Sequence, residues 1–197
     1  MRYKISYADL FSMMNLLSGF AGIVTLNVYF IILSAFFDGI DGFIARYAGG
    51  SELGVELDSL ADLVSFGLLP SFFLAKMWKE GFLISAIYVI CSAFRLARFN
   101  VLKSENFIGL PVTASALIIF CLIRLKMPVF LIGIITLILS AIMVSKIEYV
   151  KVKNEKLLLL CGIALMFSFN KFGAMLLLFL CLIYALSPLW GWKNCGN

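Results

Sequence analysis

The chain has 197 residues, of which 63% are hydrophobic and only 14% charged, and its mean hydropathy is +1.06. That leaves too little polar surface for a soluble domain of this size, so the composition points to an integral, polytopic membrane protein. The net charge of +5 comes from 16 Lys and Arg against 11 Asp and Glu, and in such a chain it reflects cytoplasmic loops and anionic headgroups rather than a nucleic-acid partner.

A bilayer-spanning helix needs about 20 apolar residues. The predicted spans run approximately 8–27, 29–48, 53–75, 81–101, 107–125, 127–146, 157–169 and 172–190. The seventh is short and reads as one arm of a tight hairpin with the eighth. The first ten residues, MRYKISYADL, are either a short interfacial segment or an ordinary basic flank. The first apolar stretch runs on without an A-x-A-like site, so no cleavable signal peptide is expected. No linker, low-complexity run or internal repeat breaks the chain, and residues 1–197 are expected to form one membrane domain. With eight spans and the N-terminus inside, eleven of the sixteen Lys and Arg fall on the N-terminal side of the membrane, which places that side in the cytoplasm. The run KIEYVKVKNEK (146–156) is then a cytoplasmic basic loop.

No histidine is present, which removes the commonest general base and imidazole as a metal ligand. The five cysteines are scattered, form no C-x-x-C pair and read as small buried hydrophobes. Any chemistry must therefore run on carboxylates, with metals held by oxygen. Four of the five aspartates, Asp38, Asp41, Asp58 and Asp62, crowd into one window, DGIDGFIARYAGGSELGVELDSLAD. At 100° per residue, Asp38, Asp41, Gly42 and Ala45 share one face of the second span. Gly54, Asp58, Ala61, Asp62 and Ser65 share one face of the third. Ala48 to Ser51 form a bend so short that the two faces must converge. Unpaired buried carboxylates cost several kcal/mol each, and Arg46 neutralises one at most. Two divalent cations with hard oxygen ligands would balance the four acids, and paired metals of this kind polarise phosphoryl groups. Intramembrane acids also mark ion or proton pathways, but these lie near the helix ends and no acids continue a path through the later spans.

The window resembles the CDP-alcohol phosphotransferase family. Its motif, D-x-x-D-G-x-x-A-R followed by G-x-x-x-D-x-x-x-D, is matched by Asp38, Asp41, Gly42, Ala45 and Arg46, then Gly54, Asp58 and Asp62. The connector Tyr47 to Leu53 has seven residues where eight is usual, so the loop departs from the pattern and the acids do not. SELGVELDSLADLVSFGLLPS, FRLARFNV (94–101) and FIGLPVTASA (107–116) are similar to the bacterial and archaeal phosphatidylserine synthase branch. The resemblance covers roughly residues 10–116.

The resemblance implies an all-α polytopic bundle, with a six-helix core to which the seventh and eighth spans add a C-terminal hairpin, and a homodimer. It implies transfer of a phosphatidyl group from CDP-diacylglycerol, or an ether-lipid analogue, to L-serine with release of CMP. The active site would face the cytoplasm, with two Mg²⁺ or Mn²⁺ ions on Asp38, Asp41, Asp58 and Asp62 and with Asp62 as general base. Gly42, Ala45, Arg46 and Gly54 would line the CDP-lipid site. Asn15 would touch the nucleotide, or only bond a neighbouring helix. Arg95 and Arg98 would read an anion, donor phosphate or serine carboxylate, or stand as cytoplasmic flanks. Pro111 is expected to shape the start of the fifth helix. The alternatives are the same chemistry with glycerol 3-phosphate or inositol phosphate as acceptor, or a metal-ion or proton-coupled transporter.

Overall fold

The computed structural model describes residues 6–102, 107–149, 162 and 165–190. Among them are eight α-helices: α1 (Tyr7–Thr25), α2 (Phe30–Ala48), α3 (Glu52–Asp62), α4 (Leu69–Met77), α5 (Phe82–Leu102), α6 (Val112–Arg124), α7 (Val129–Val144) and α8 (Lys171–Leu186). The only strands among the described residues, β1 (Phe107–Ile108) and β2 (Glu148–Tyr149), pair antiparallel with Phe107 opposite Tyr149. This is the all-α membrane bundle expected. Tyr7–Thr25, Leu53–Met77 and Phe82–Leu102 are long and apolar enough to cross a membrane, and α6, α7 and α8 are shorter apolar helices. The seventh expected span, 157–169, falls largely outside the described residues, as do residues 1–5 and 150–156.

α1 starts at a complete capping box: Ser6 accepts from the Asp9 N–H while the Asp9 side chain accepts from the Ser6 N–H. Tyr7 and Asp9 thus belong to α1 itself, and Asp9 is buried rather than part of a solvated flank. α1 packs along α2 and α3 through small residues. A Cβ at Gly19 would lie 2.7 Å from the Ser65 Cα, and one at Gly22 would lie 2.8 Å from Phe30 Cβ. Only glycine lets these backbones approach so closely, and that approach is the main source of helix association where lipid is as apolar as the helices.

The helix that begins with α3 reaches α4 through a π turn, Leu63–Leu68, directly after Asp62. Pro70, early in α4, has no N–H to give the Phe66 carbonyl four residues back. The hydroxyl of Tyr88 on α5, itself fully buried, donates to that carbonyl at 3.1 Å. The core lies below this point, where Phe66, Leu69, Tyr88, Ile118, Phe120 and Met143 close together.

α6 begins at Val112, five residues later than expected. Gly109 takes φ of +80° and Pro111 sits at the N-cap, so the preceding backbone cannot be helical; it pairs as β1 instead. α7 likewise starts after Pro128 and stops at Ser145, whose backbone is extended. At the far end of the bundle, Arg124 donates to the Phe169 carbonyl at 2.9 Å, and Tyr29 stacks on Phe169 with centroids 5.3 Å apart. This pins the start of α8 to α2 and α6. The opposite end gathers the start of α1, the ends of α2 and α5, the start of α3 and α6, and the β1–β2 ladder.

Candidate active site

At that gathered end, α2 carries Asp38 and Asp41 one turn apart, and α3 carries Asp58 and Asp62 one turn apart. Asp38, Asp41 and Asp58 each bring a carboxylate oxygen within 4.8 Å of the others. Three carboxylates this close, in a largely closed setting, repel one another strongly. Two of them are also partly engaged. Ser12 Oγ on α1 donates to Asp41 Oδ2 at 2.7 Å, and Thr113 Oγ1 on α6 donates to Asp38 Oδ2 at 3.4 Å. Asp58 Oδ1 is buried and accepts from nothing among the described residues. A buried orphan oxygen costs about 1–3 kcal/mol unless some group meets it. An orphan acceptor inside a cluster of hard oxygens fits a divalent cation of the Mg²⁺ or Mn²⁺ kind.

Asp62 stands to one side of that trio, 8% exposed and within electrostatic reach of Asp38 and Asp58. Asn15 Nδ2 donates to its Oδ1 at 3.1 Å. Asn15 is itself completely buried, and its carbonyl accepts from Ser34 Oγ at 3.3 Å and Ser65 Oγ at 2.8 Å. The side chain of Asn15 thus meets the aspartate while its backbone is held from α2 and from the π turn after α3. Beside the acids, a Cβ built at Gly39 or Gly42 meets no described atom within 4 Å, so the glycine face of α2 opens on free space. Ala45 is half-buried and Arg46 exposed on the last turn of α2. Gly54 is different: a Cβ there would fall on the Asp9 carboxylate.

The two arginines of α5 part company. Arg95 is 6% exposed, lies over the Phe99 ring at 5.5 Å, and feels the charges of Asp62 and Asp38. Tyr184 of α8 is a further electrostatic neighbour of Arg95, so α8 reaches this arginine. Arg98 turns away. Its Nη1 donates to the Val144 carbonyl at 2.8 Å, and its Nη2 to the carbonyls of Ile108 at 2.7 Å, Met143 at 3.1 Å and Ser145 at 3.1 Å. It caps the C-terminus of α7 and ties that end to β1, as a cation at a helix C-terminus should. Asn100, two residues on, accepts from Ser59 Oγ at 3.1 Å and donates to Glu56 at 3.1 Å, which holds α3 against α5.

Sequence reasoning missed Ser12 and Thr113 as partners of Asp41 and Asp38. A signal for Ser12 exists: Asp9, Ser12 and Asn15 recur every three residues on one face of an otherwise apolar helix. None exists for Thr113, because its partner is 75 residues away.

The family model for CDP-alcohol phosphatidyltransferase matches residues 4–192. A CDP-diacylglycerol–serine O-phosphatidyltransferase of Methanocaldococcus jannaschii is 36% identical over 188 residues, 94% of this chain and 93% of that one. An archaetidylserine synthase of Methanothermobacter thermautotrophicus is 34% identical over 166 residues, 75% of this chain and 71% of that one. A CDP-diacylglycerol–serine O-phosphatidyltransferase of Bacillus subtilis is 38% identical over 136 residues, 65% and 76% of the two chains.

Proposed function

The chain belongs to the CDP-alcohol phosphatidyltransferase family, and we propose that it transfers the phosphatidyl-type group of a CDP-linked lipid to L-serine, releasing CMP. The observation that carries this reading is the trio Asp38, Asp41 and Asp58, with its orphan Asp58 oxygen, set between the open glycine face of α2 and the buried Arg95. The similarity to serine-using relatives supports the choice of acceptor.

In this reading Asp38, Asp41 and Asp58, with Asp62 beside them, hold two divalent ions. When bound, the ions supply neutralisation of the pyrophosphate charge as the bond to CMP breaks. Gly39 and Gly42 leave room for the donor's headgroup against α2, and Arg46 and Ala45 line its rim. The donor's tails stay in lipid. Asp62 accepts the proton of the serine hydroxyl as that oxygen bonds to the lipid-side phosphorus and CMP leaves with the former bridging oxygen. Asn15 occupies Asp62 Oδ1 and leaves the second oxygen to the proton. Arg95 reads the serine carboxylate with a planar, permanently charged fork.

Arg98 spends its donors on four main-chain carbonyls, which leaves Arg95 as the buried arginine beside the acids among the described residues. That favours an acceptor carboxylate over an acceptor phosphate, which calls for a denser cluster of cations. The charge balance of the loops supports a site facing the cytoplasm, and membership of the family favours a homodimer. The test is to incubate purified protein with CDP-diacylglycerol, Mg²⁺ and, separately, serine, ethanolamine and glycerol 3-phosphate, and to identify the lipid formed. A serine lipid and CMP in equal amounts are expected. Equal use of ethanolamine, which lacks the carboxylate, refutes the acceptor assignment.

A further inference from the structure

Asp9 is the one aspartate that the catalytic reading leaves unused, and it is only 1% exposed. A capping box asks for contacts with Ser6 alone, the Asp9 N–H to Ser6 Oγ at 3.2 Å and the Ser6 N–H to Asp9 Oδ2 at 2.7 Å, and here Ser6 Oγ also donates to Asp9 Oδ1 at 2.7 Å. Two further contacts exceed that need. Ser51 Oγ lies 3.1 Å from Asp9 Oδ1 and 3.0 Å from Oδ2. Ser51 is the N-cap of α3 and accepts from the Gly54 N–H at 2.8 Å. One hydroxyl therefore donates to a carboxylate on α1 while accepting from the first turn of α3. A Cβ at Gly54 would fall on Asp9 Oδ1 and lie 3.1 Å from Ser51 Oγ, so α3 is seated on this contact with no room for a side chain.

The consequence reaches the acids. Asp58 follows Gly54 by one helical turn and Asp62 by two. On α1, Ser12 and Asn15 follow Asp9 on the same face and hold Asp41 and Asp62. The connector between α2 and α3 is the stretch whose length departs from the family spacing, and Asp9 closes it. We infer that Asp9 is a positioning residue for the donor site: by clasping Ser51 and seating Gly54, it fixes the height and rotation of α3 and so the presentation of Asp58 to the CDP-lipid. The inference rests on the phosphatidyl-transfer reading and adds to it a reason for glycine at position 54. The glycine clears Asp9, rather than only clearing the nucleotide.

These two roles of Gly54 differ in what repairs its loss. If clearance toward Asp9 matters, Asp9→Ala relieves Gly54→Ala. If clearance toward the nucleotide matters, no change at position 9 helps. The experiment measures CMP release by the full chain in lipid–detergent micelles for wild type, Gly54→Ala, Asp9→Ala, Ser51→Ala and the Asp9→Ala/Gly54→Ala pair. Asp9→Ala and Ser51→Ala should each raise the donor KM about three- to tenfold with the serine KM unmoved, the scale of one lost hydrogen bond. Gly54→Ala should raise it about tenfold or more, and the pair should fall well short of the product of the two single effects. Effects that multiply, or a serine KM that moves as much as the donor KM, overturn the inference. Should Gly54→Ala fail to fold, Asp9→Asn decides. It keeps the shape and one acceptor oxygen, so its donor KM should lie between those of wild type and Asp9→Ala. A donor KM equal to wild type in both Asp9 variants overturns the clasp. If wild type itself releases no CMP, the phosphatidyl-transfer reading fails. The clasp then stands or falls on the melting temperatures of the same variants: sub-additive losses support it and additive losses overturn it.

Discussion

Replacing Asn15 with leucine separates two roles for a residue that is completely buried inside the helix bundle. The substitution keeps the branched shape of the side chain, though methyl groups are bulkier than the amide atoms, and removes the Nδ2 donor that meets Asp62 Oδ1 at 3.1 Å. A hydrogen bond to a charged partner is worth about 1.5–3 kcal/mol, or roughly ten- to 150-fold in a rate that depends on it. The stability cost should be much smaller. Leucine leaves Asp62 Oδ1 without this donor but also removes Asn15 Oδ1, which is buried without a partner, so the two changes offset, and the Ser34 and Ser65 hydroxyls bond the Asn15 main-chain carbonyl, which stays. Steady-state CMP release under saturating donor and serine should therefore show kcat down about tenfold or more. The donor KM should stay within about threefold, and the melting temperature within a few degrees. The opposite split, an intact kcat with a donor KM raised tenfold, would mean that Asn15 touches the nucleotide and that its bond to Asp62 is incidental.

The other residues of the site give equally specific expectations. Asp62→Asn should lose about 10²–10⁴ in turnover while binding of the CDP-lipid, measured by its effect on melting, is mostly kept; turnover within a few-fold of wild type removes Asp62 as the base. Arg95→Lys keeps the charge and loses the fork, so the serine KM should rise about tenfold while the donor KM changes little; movement of the donor KM alone assigns Arg95 to phosphate. Arg98→Ala strips the donors from four carbonyls at the end of α7, so the melting temperature should fall by about 5 °C or more with both KM values nearly unchanged in the protein that remains folded. A raised serine KM at full stability would return Arg98 to the acceptor site.

Much of this arrangement was legible in the chain because its signals are local. The helix positions follow from apolar run length, and the aspartates from their spacing on two helices joined by a short bend. The misplaced boundary, the start of α6, came from reading FIGLP as the apolar beginning of a span. Apolar content cannot distinguish a helix from an extended pair, whereas Gly109 at φ +80° and Pro111 decide it. Arg95 and Arg98 look alike in sequence, three residues apart on one helix. Their different roles depend on where the end of α7 lies, some 45 residues further on, and no local pattern carries that. Asp9 reads in sequence only as part of an interfacial segment or a basic flank, because its second partner, Ser51, is 42 residues away. The π turn after Asp62 was equally hidden, since its helical partners come from tertiary packing rather than from any marked residue except Pro70.

The central claim is that the trio Asp38, Asp41 and Asp58 serves phosphatidyl transfer by holding divalent ions. Its most direct test is CMP release from CDP-diacylglycerol and serine across a titration of Mg²⁺ or Mn²⁺, for wild type and Asp58→Asn, each with and without excess chelator. Asp58 is the informative position because its Oδ1 has no other described partner to account for it. Wild type should depend fully on the ion, fall silent with chelator and recover when the ion is restored. Asp58→Asn should need at least about tenfold more ion for half its maximal rate, the scale of one lost charged ligand contact. Undiminished CMP release in excess chelator, or an ion requirement unchanged by Asp58→Asn, would contradict the account.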